Sequence, residues 1–237
     1  MTGSALKAGA RRLIFDNFPK LLFISLLYVV FITVVSWLSF RLPGTINLQD
    51  IYDRLATGEI PNLWIIYTNF RPTGVFLAII LSLLLPVLDV GFFSYCMKIN
   101  RSIDTEYRDL FNGFLYIIKV VSIFFITAVF IFLWSMLFIV PGIVASYRYR
   151  LAYYVLIDDP GKGVLQCISE SKLLMHGNKV DLLIIDLSFV GWYVLDYAIL
   201  LLTPLPFVFP VVSIWLSPYV GLTRAAFYES QISSIAV

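Results

Sequence analysis

Arg148 and Arg150 stand in the stretch LWSMLFIVPGIVASYRYRLAYYVLIDDPG (residues 133–161), among side chains that otherwise suit hydrocarbon. A guanidinium is a fixed fork of donors that stays charged and pairs with carboxylates or phosphates. At the centre of a membrane helix each one costs at least about 2.5–3.5 kcal/mol on insertion scales, so it needs a partner or water. Asp196, Asp186 and Asp89 are the acids that fall in other apolar runs, and Tyr147 and Tyr149 offer hydroxyls beside the arginines. These seven residues define either a lock on helix register or a polar cavity that admits an anionic headgroup or solute.

Catalytic chemistry finds little footing. There is no G-x-S-x-G elbow, Walker loop, H-E-x-x-H or C-x-x-C. The single histidine, His176, has no ligand or catalytic company. Asp186 and Asp196 lie roughly 15 Å apart along one helix at 1.5 Å per residue, too far to share a proton. Asp89 with Asp186 is the only pair of compatible depth. The chain is expected to be no enzyme and to need no cofactor or metal.

The elements that position these residues follow from composition. The chain has 237 residues, 60% hydrophobic and 14% charged, with a mean hydropathy of +0.89. An ordinary soluble domain is about 25% charged, so the expected class is an all-α integral membrane protein. A net charge of +2 gives no reason to expect nucleic acid as a partner. Lipids, a second copy or another membrane protein are the partners that remain. Cys96 and Cys167 are too few for a disulfide framework or a zinc site.

Charge gaps and turn residues give spans at about 21–40, 73–97, 120–140, 143–157, 180–202 and 207–221. The first is expected to be retained, because its apolar run is too long for a signal-peptide core. An outer loop, 41–72, carries a short helix near Asp50–Ala56, and Thr203-Pro204-Leu205-Pro206 makes a turn. Residues 143–157 are the doubtful span, and the cations decide it. If they cross, twelve Lys and Arg lie on the inner side and only Arg41, Arg54 and Arg71 on the outer; if not, the split is eight to nine. The positive-inside rule selects crossing, with both termini in the cytoplasm.

Pro141-Gly142 then serves as the outer corner of a hairpin, placing the arginines roughly 9–12 Å below it. Asp196 is eight residues before Pro204, which sets it level with Arg150. Asp186 lies nearer the cytoplasm. Because positions 148 and 150 differ by about 200° around a helix, they cannot both face one carboxylate. One is expected to pair with Asp196, the other to snorkel or face a separate polar pocket.

Three polar inner segments have amphipathic patterns. Asp159-Pro160 reads as the start of a surface helix with Val164, Leu165, Ile168 and Met175 on one side, ending at His176-Gly177. Asp104 can cap a helix with Tyr107, Leu110, Phe111 and Phe114 at helical spacing. Ser4 can cap one carrying Leu6, Ala10, Leu13 and Asn17. Each precedes a lysine (Lys20, Lys119, Lys179) and an apolar span, a pattern compatible with three copies of a surface-helix-plus-hairpin unit.

The runs LFIVPGIVASYRYRLAYYVLIDDP, SESKLLMHGNKVDLLIIDLSFVGW and SPYVGLTRAAFYE, in that order, resemble the bacterial integral membrane family known as domain of unknown function 975. The resemblance implies a bacterial cytoplasmic-membrane protein and no particular activity. Two functions stay open. One is a non-catalytic accessory, assembly or regulatory module. The other is a small transporter, channel or lipid-handling protein using Arg148, Arg150 and Asp196. A wetted cavity connecting Arg150 to either face favours the second, and a dry, fully paired Arg–Asp cluster the first.

Overall fold

The computed structural model describes residues 3–42, 57, 72–202 and 210–235. All regular structure among them is helical: α1 Gly3–Asp16, α2 Lys20–Arg41, α3 Pro72–Ser82, α4 Leu84–Asn100, a 3₁₀ segment Tyr107–Tyr116, α5 Ile117–Leu137, α6 Ile139–Arg148, α7 Ala152–Asp158, α8 Val164–Leu174, α9 Lys179–Leu202 and α10 Val211–Ile235. Four helical stretches, Lys20–Ser39, Pro72–Asn100, Tyr107–Leu137 and Lys179–Ile199, are long and apolar enough to cross a membrane. They overlap four of the expected spans. The expected short helix near Asp50–Ala56 and the turn at 203–206 lie outside the described residues.

The chain divides into two compact units, one of residues 1–30 and 86–237, the other of residues 31–85. In the smaller unit α3 buries no side chain, and the Arg41 guanidinium sits 5.3 Å from the Trp37 ring.

One end of the larger unit is polar and tightly bonded. Arg101, just past α4, pairs with Asp158 at the end of α7 (2.6 Å) and with Glu229 of α10 (2.7 Å). Lys119, in the first turn of α5, donates to the carbonyls of Pro160 (2.6 Å) and Lys162 (3.0 Å). Lys20 donates to the Thr105 carbonyl, and Asn178 to the Gln231 side chain at 2.6 Å. The chain therefore leaves this end along α5 and comes back to it along α6 and α7, as expected for residues 143–157.

The corner of that hairpin is not Pro141-Gly142. It is Phe138, a single extended residue (φ −160°, ψ 155°) between α5 and α6. Pro141 sits in the first turn of α6, where the missing N–H would have had no partner anyway. Gly142 serves packing: a Cβ there would lie 2.1 Å from the Ser135 hydroxyl of α5. A similar close approach joins α4 to the 3₁₀ segment. A Cβ on Gly91 would stand 1.8 Å from the Leu110 carbonyl, and one on Gly113 1.9 Å from that of Val87.

The amphipathic segments are helical, with altered caps. The 3₁₀ segment is capped by Glu106 and Asp109, not Asp104, because Asp109 accepts the Glu106 N–H at 2.9 Å. Gly163, not Asp159, precedes α8; the Asp159 carboxylate closes a turn with the Gly161 N–H. Ser4 lies inside α1, which begins at Gly3 and buries Leu6, Ala10 and Ile14. Nor does α8 simply rest on a surface: Cys167, Ile168, Ser171 and Leu174 are buried in the bundle while Leu165 is exposed.

Candidate functional site

The expected span at 143–157 is two helices, α6 and α7, interrupted at residues 149–151. The turn tightens there. Arg150 N–H bonds the Tyr147 carbonyl and Ala152 N–H that of Tyr149, both three residues back. This leaves the Leu151 N–H and the Arg148 carbonyl without intrahelical partners. Ser171 of α8, fully buried, takes both: its hydroxyl accepts from Leu151 N–H at 3.2 Å and donates to the Arg148 carbonyl at 3.0 Å.

The two arginines diverge from this break. Arg148 turns to a recess lined by Trp134, Pro141, Val144, Ala145 and Lys179. Arg150 turns inward and reaches Asp186 Oδ2 at 3.6 Å. The separation inferred from helical angles thus holds, but the carboxylate is Asp186, not Asp196. Asp196 instead accepts the Val212 N–H (3.2 Å) and the Ser213 hydroxyl (2.6 Å) in the first turn of α10, a capping role filled from a neighbouring helix. The depth reckoning failed because it ran down from Pro141-Gly142. Counted from the bonded polar end, Arg150 lies eight residues before Asp158 and Asp186 seven after Lys179, both roughly 10–12 Å deep.

Asp186 gathers four donors. Arg224 of α10 gives Nε (3.1 Å) and Nη2 (2.9 Å) to Oδ1; the Tyr147 hydroxyl (3.2 Å) and Arg150 share Oδ2. The Asp186 and Arg224 side chains are 13% and 17% exposed, whereas Arg150 is 39% exposed, so Arg224 is the inner partner. Arg224 was counted from sequence among the cytoplasmic loop charges. It is buried because α10 runs unbroken through Pro218 to Ile235. The signal was length: 207–221 is only 15 residues, short of the roughly 20 that cross 30 Å of hydrocarbon.

Beside this cluster lies a cavity of about 290 Å³. Arg150, Arg224, Asp89 and Tyr154 contribute its polar wall, with Thr127 and Ser146. Asp89 accepts the Tyr28 hydroxyl at 2.6 Å. The Tyr149 ring, stacked on Phe130 at 5.8 Å, lines it too. Tyr154 is 1% exposed, and its hydroxyl has no hydrogen-bond partner among the described residues.

No group of three or more His, Cys, Asp and Glu able to hold a metal occurs among the described residues. Cys167 is buried, and burial pushes its thiol pKa up, which makes it a poor nucleophile.

The chain is all-helical among the described residues, and four helical stretches of spanning length and apolarity are compatible with a membrane protein. Residues 136–234 match the family described as "Protein of unknown function (DUF975)", the family that the motifs resemble. The matched stretch holds α6 to α9 and nearly all of α10, hence Arg150, Tyr154, Ser171, Asp186 and Arg224; Asp89 and Thr127 lie before it. No curated protein and no solved structure matches the chain.

Proposed function

We propose that this is a non-catalytic, membrane-embedded binding protein whose cavity takes the anionic group of a solute or lipid headgroup. Its surroundings would be a bacterial cytoplasmic membrane, crossed six times with both termini inside. The bonded polar end carries Lys20, Lys98, Arg101, Lys119 and Lys162, which supports its assignment to the cytoplasmic side. The observation that carries the binding role is a cavity wall that presents two guanidinium groups, Arg150 and Arg224, against a single neighbouring carboxylate on which both converge, Asp186. Arg150, the more exposed, is the group free to reach a guest while Arg224 stays on Asp186.

The accessory-module reading keeps one specific support. Asp186 is saturated with donors, as a register lock between α6, α9 and α10 would be. The cavity lies beyond that lock and is not explained by it.

The test uses the purified full chain in detergent. Inorganic phosphate and dihexanoyl phosphatidate are titrated calorimetrically, with dihexanoylglycerol as the uncharged control. Saturable binding of a phosphate-bearing probe, weakened at least tenfold but still measurable in Arg150→Gln, is expected. Absence of binding by both probes sinks the proposal. Preference for phosphatidate over phosphate identifies a lipid headgroup, and the reverse a free solute.

A further inference from the structure

Resting on that binding role, we infer that Ser171 is the positioning residue of the site. It acts on Arg150 through the broken backbone of α6 and α7. The break sits on both sides of Arg150: the two backbone groups that Ser171 satisfies belong to Arg148 and Leu151. An uninterrupted helix would bond Leu151 N–H to the Tyr147 carbonyl and Ala152 N–H to that of Arg148. Either bond would undo the tightened turn and rotate residue 150 relative to α6. Ser171 removes the need for them. One hydroxyl serves as acceptor and donor at once, and full burial shields both bonds from competing water.

The supporting element is itself held. Cys167, Ile168 and Leu174 of α8 are buried, and Lys172, next to Ser171, lies 5.6 Å from the Tyr149 ring and 5.7 Å from that of Phe130. The same short helix thus fixes the backbone on one side of Arg150 and the aromatic wall of the cavity on the other. In apolar surroundings irregular backbone persists only where something other than water satisfies it. Ser171 is that group.

A double-mutant cycle on phosphate binding tests this in the full chain. Ser171→Ala is expected to weaken the phosphate-bearing probe about tenfold, the equivalent of about 1.4 kcal/mol, and Ser171→Thr, which keeps the hydroxyl, far less. In an Arg150→Gln background Ser171→Ala should change residual binding less than twofold, because its path to the guest is already cut. A merely structural hydroxyl would weaken binding equally in both backgrounds, and that result overturns the inference. Should Ser171→Ala fail to give monodisperse protein, Ser171→Cys replaces it. A thiol is a weak donor and acceptor, so an intermediate loss is expected, and an unchanged affinity refutes the role. If the unmutated chain binds neither phosphate nor phosphatidate, the binding site itself falls and the positioning role with it. Binding that survives Ser171→Ala intact removes only the positioning role.

Discussion

Asp186 and Asp196 sit ten residues apart on α9 and have the same side chain, yet the structure uses them differently. Asp186 faces two guanidinium groups and a phenol and is almost sealed from solvent. Among the described residues, Asp196 faces an amide and a hydroxyl at a helix start. Depth separates them. Far from the helix ends the backbone bonds are already satisfied, so a buried carboxylate finds only side-chain donors, and charged ones offset its burial best. Near an end, unpaired N–H groups are at hand, and a carboxylate serves them.

The sharpest way to break the contrast is Asp186→Asn, which leaves Arg224 buried without its counter-charge. Loss of about 3–5 kcal/mol is expected, as for removing one member of a buried pair. It should appear as a large drop in the thermal midpoint in detergent. A drop no larger than that of Asp196→Ala would erase the distinction.

Arg150→Gln should cost less, about 1 kcal/mol, since Arg150 is 39% exposed at 3.6 Å and Asp186 keeps Arg224. Its main effect belongs in the binding titration. Asp196→Ala should cost about 1 kcal/mol, the usual figure for a lost N-terminal cap. Amide exchange should quicken at Val212 and leave residues near Arg224 unchanged. Smallest is Tyr147→Phe, which removes one of four donors to Asp186, about 0.5–1 kcal/mol; a shift in midpoint comparable to that of Asp186→Asn would mean that the phenol, not the arginines, holds the carboxylate.

Composition and charge spacing made the helical class legible, along with four apolar stretches and the return of 143–157 to the end where α5 begins. The divergence of Arg148 from Arg150 was also expected, although the reasoning assumed a regular helix where the chain is broken at 149–151. The partner of Arg150 was not legible. Choosing between Asp186 and Asp196 required a depth scale, and Pro141 gave a false zero: proline ends a helix in its interior but begins one in its first turn. Arg224 was hidden by ending α10 at Gly221. The break at 149–151 left no local trace, since its cause, Ser171, is twenty residues away in sequence and resembles any other serine in an amphipathic segment.

Arg101 grips Asp158 and Glu229 at once. Tyr154 is four residues before the first, and Arg224 five before the second. Two walls of the cavity are thus fastened to a single rivet little more than one helical turn away. That clamp braces the spacing of α7 and α10 from one end, so the walls above it share a common footing.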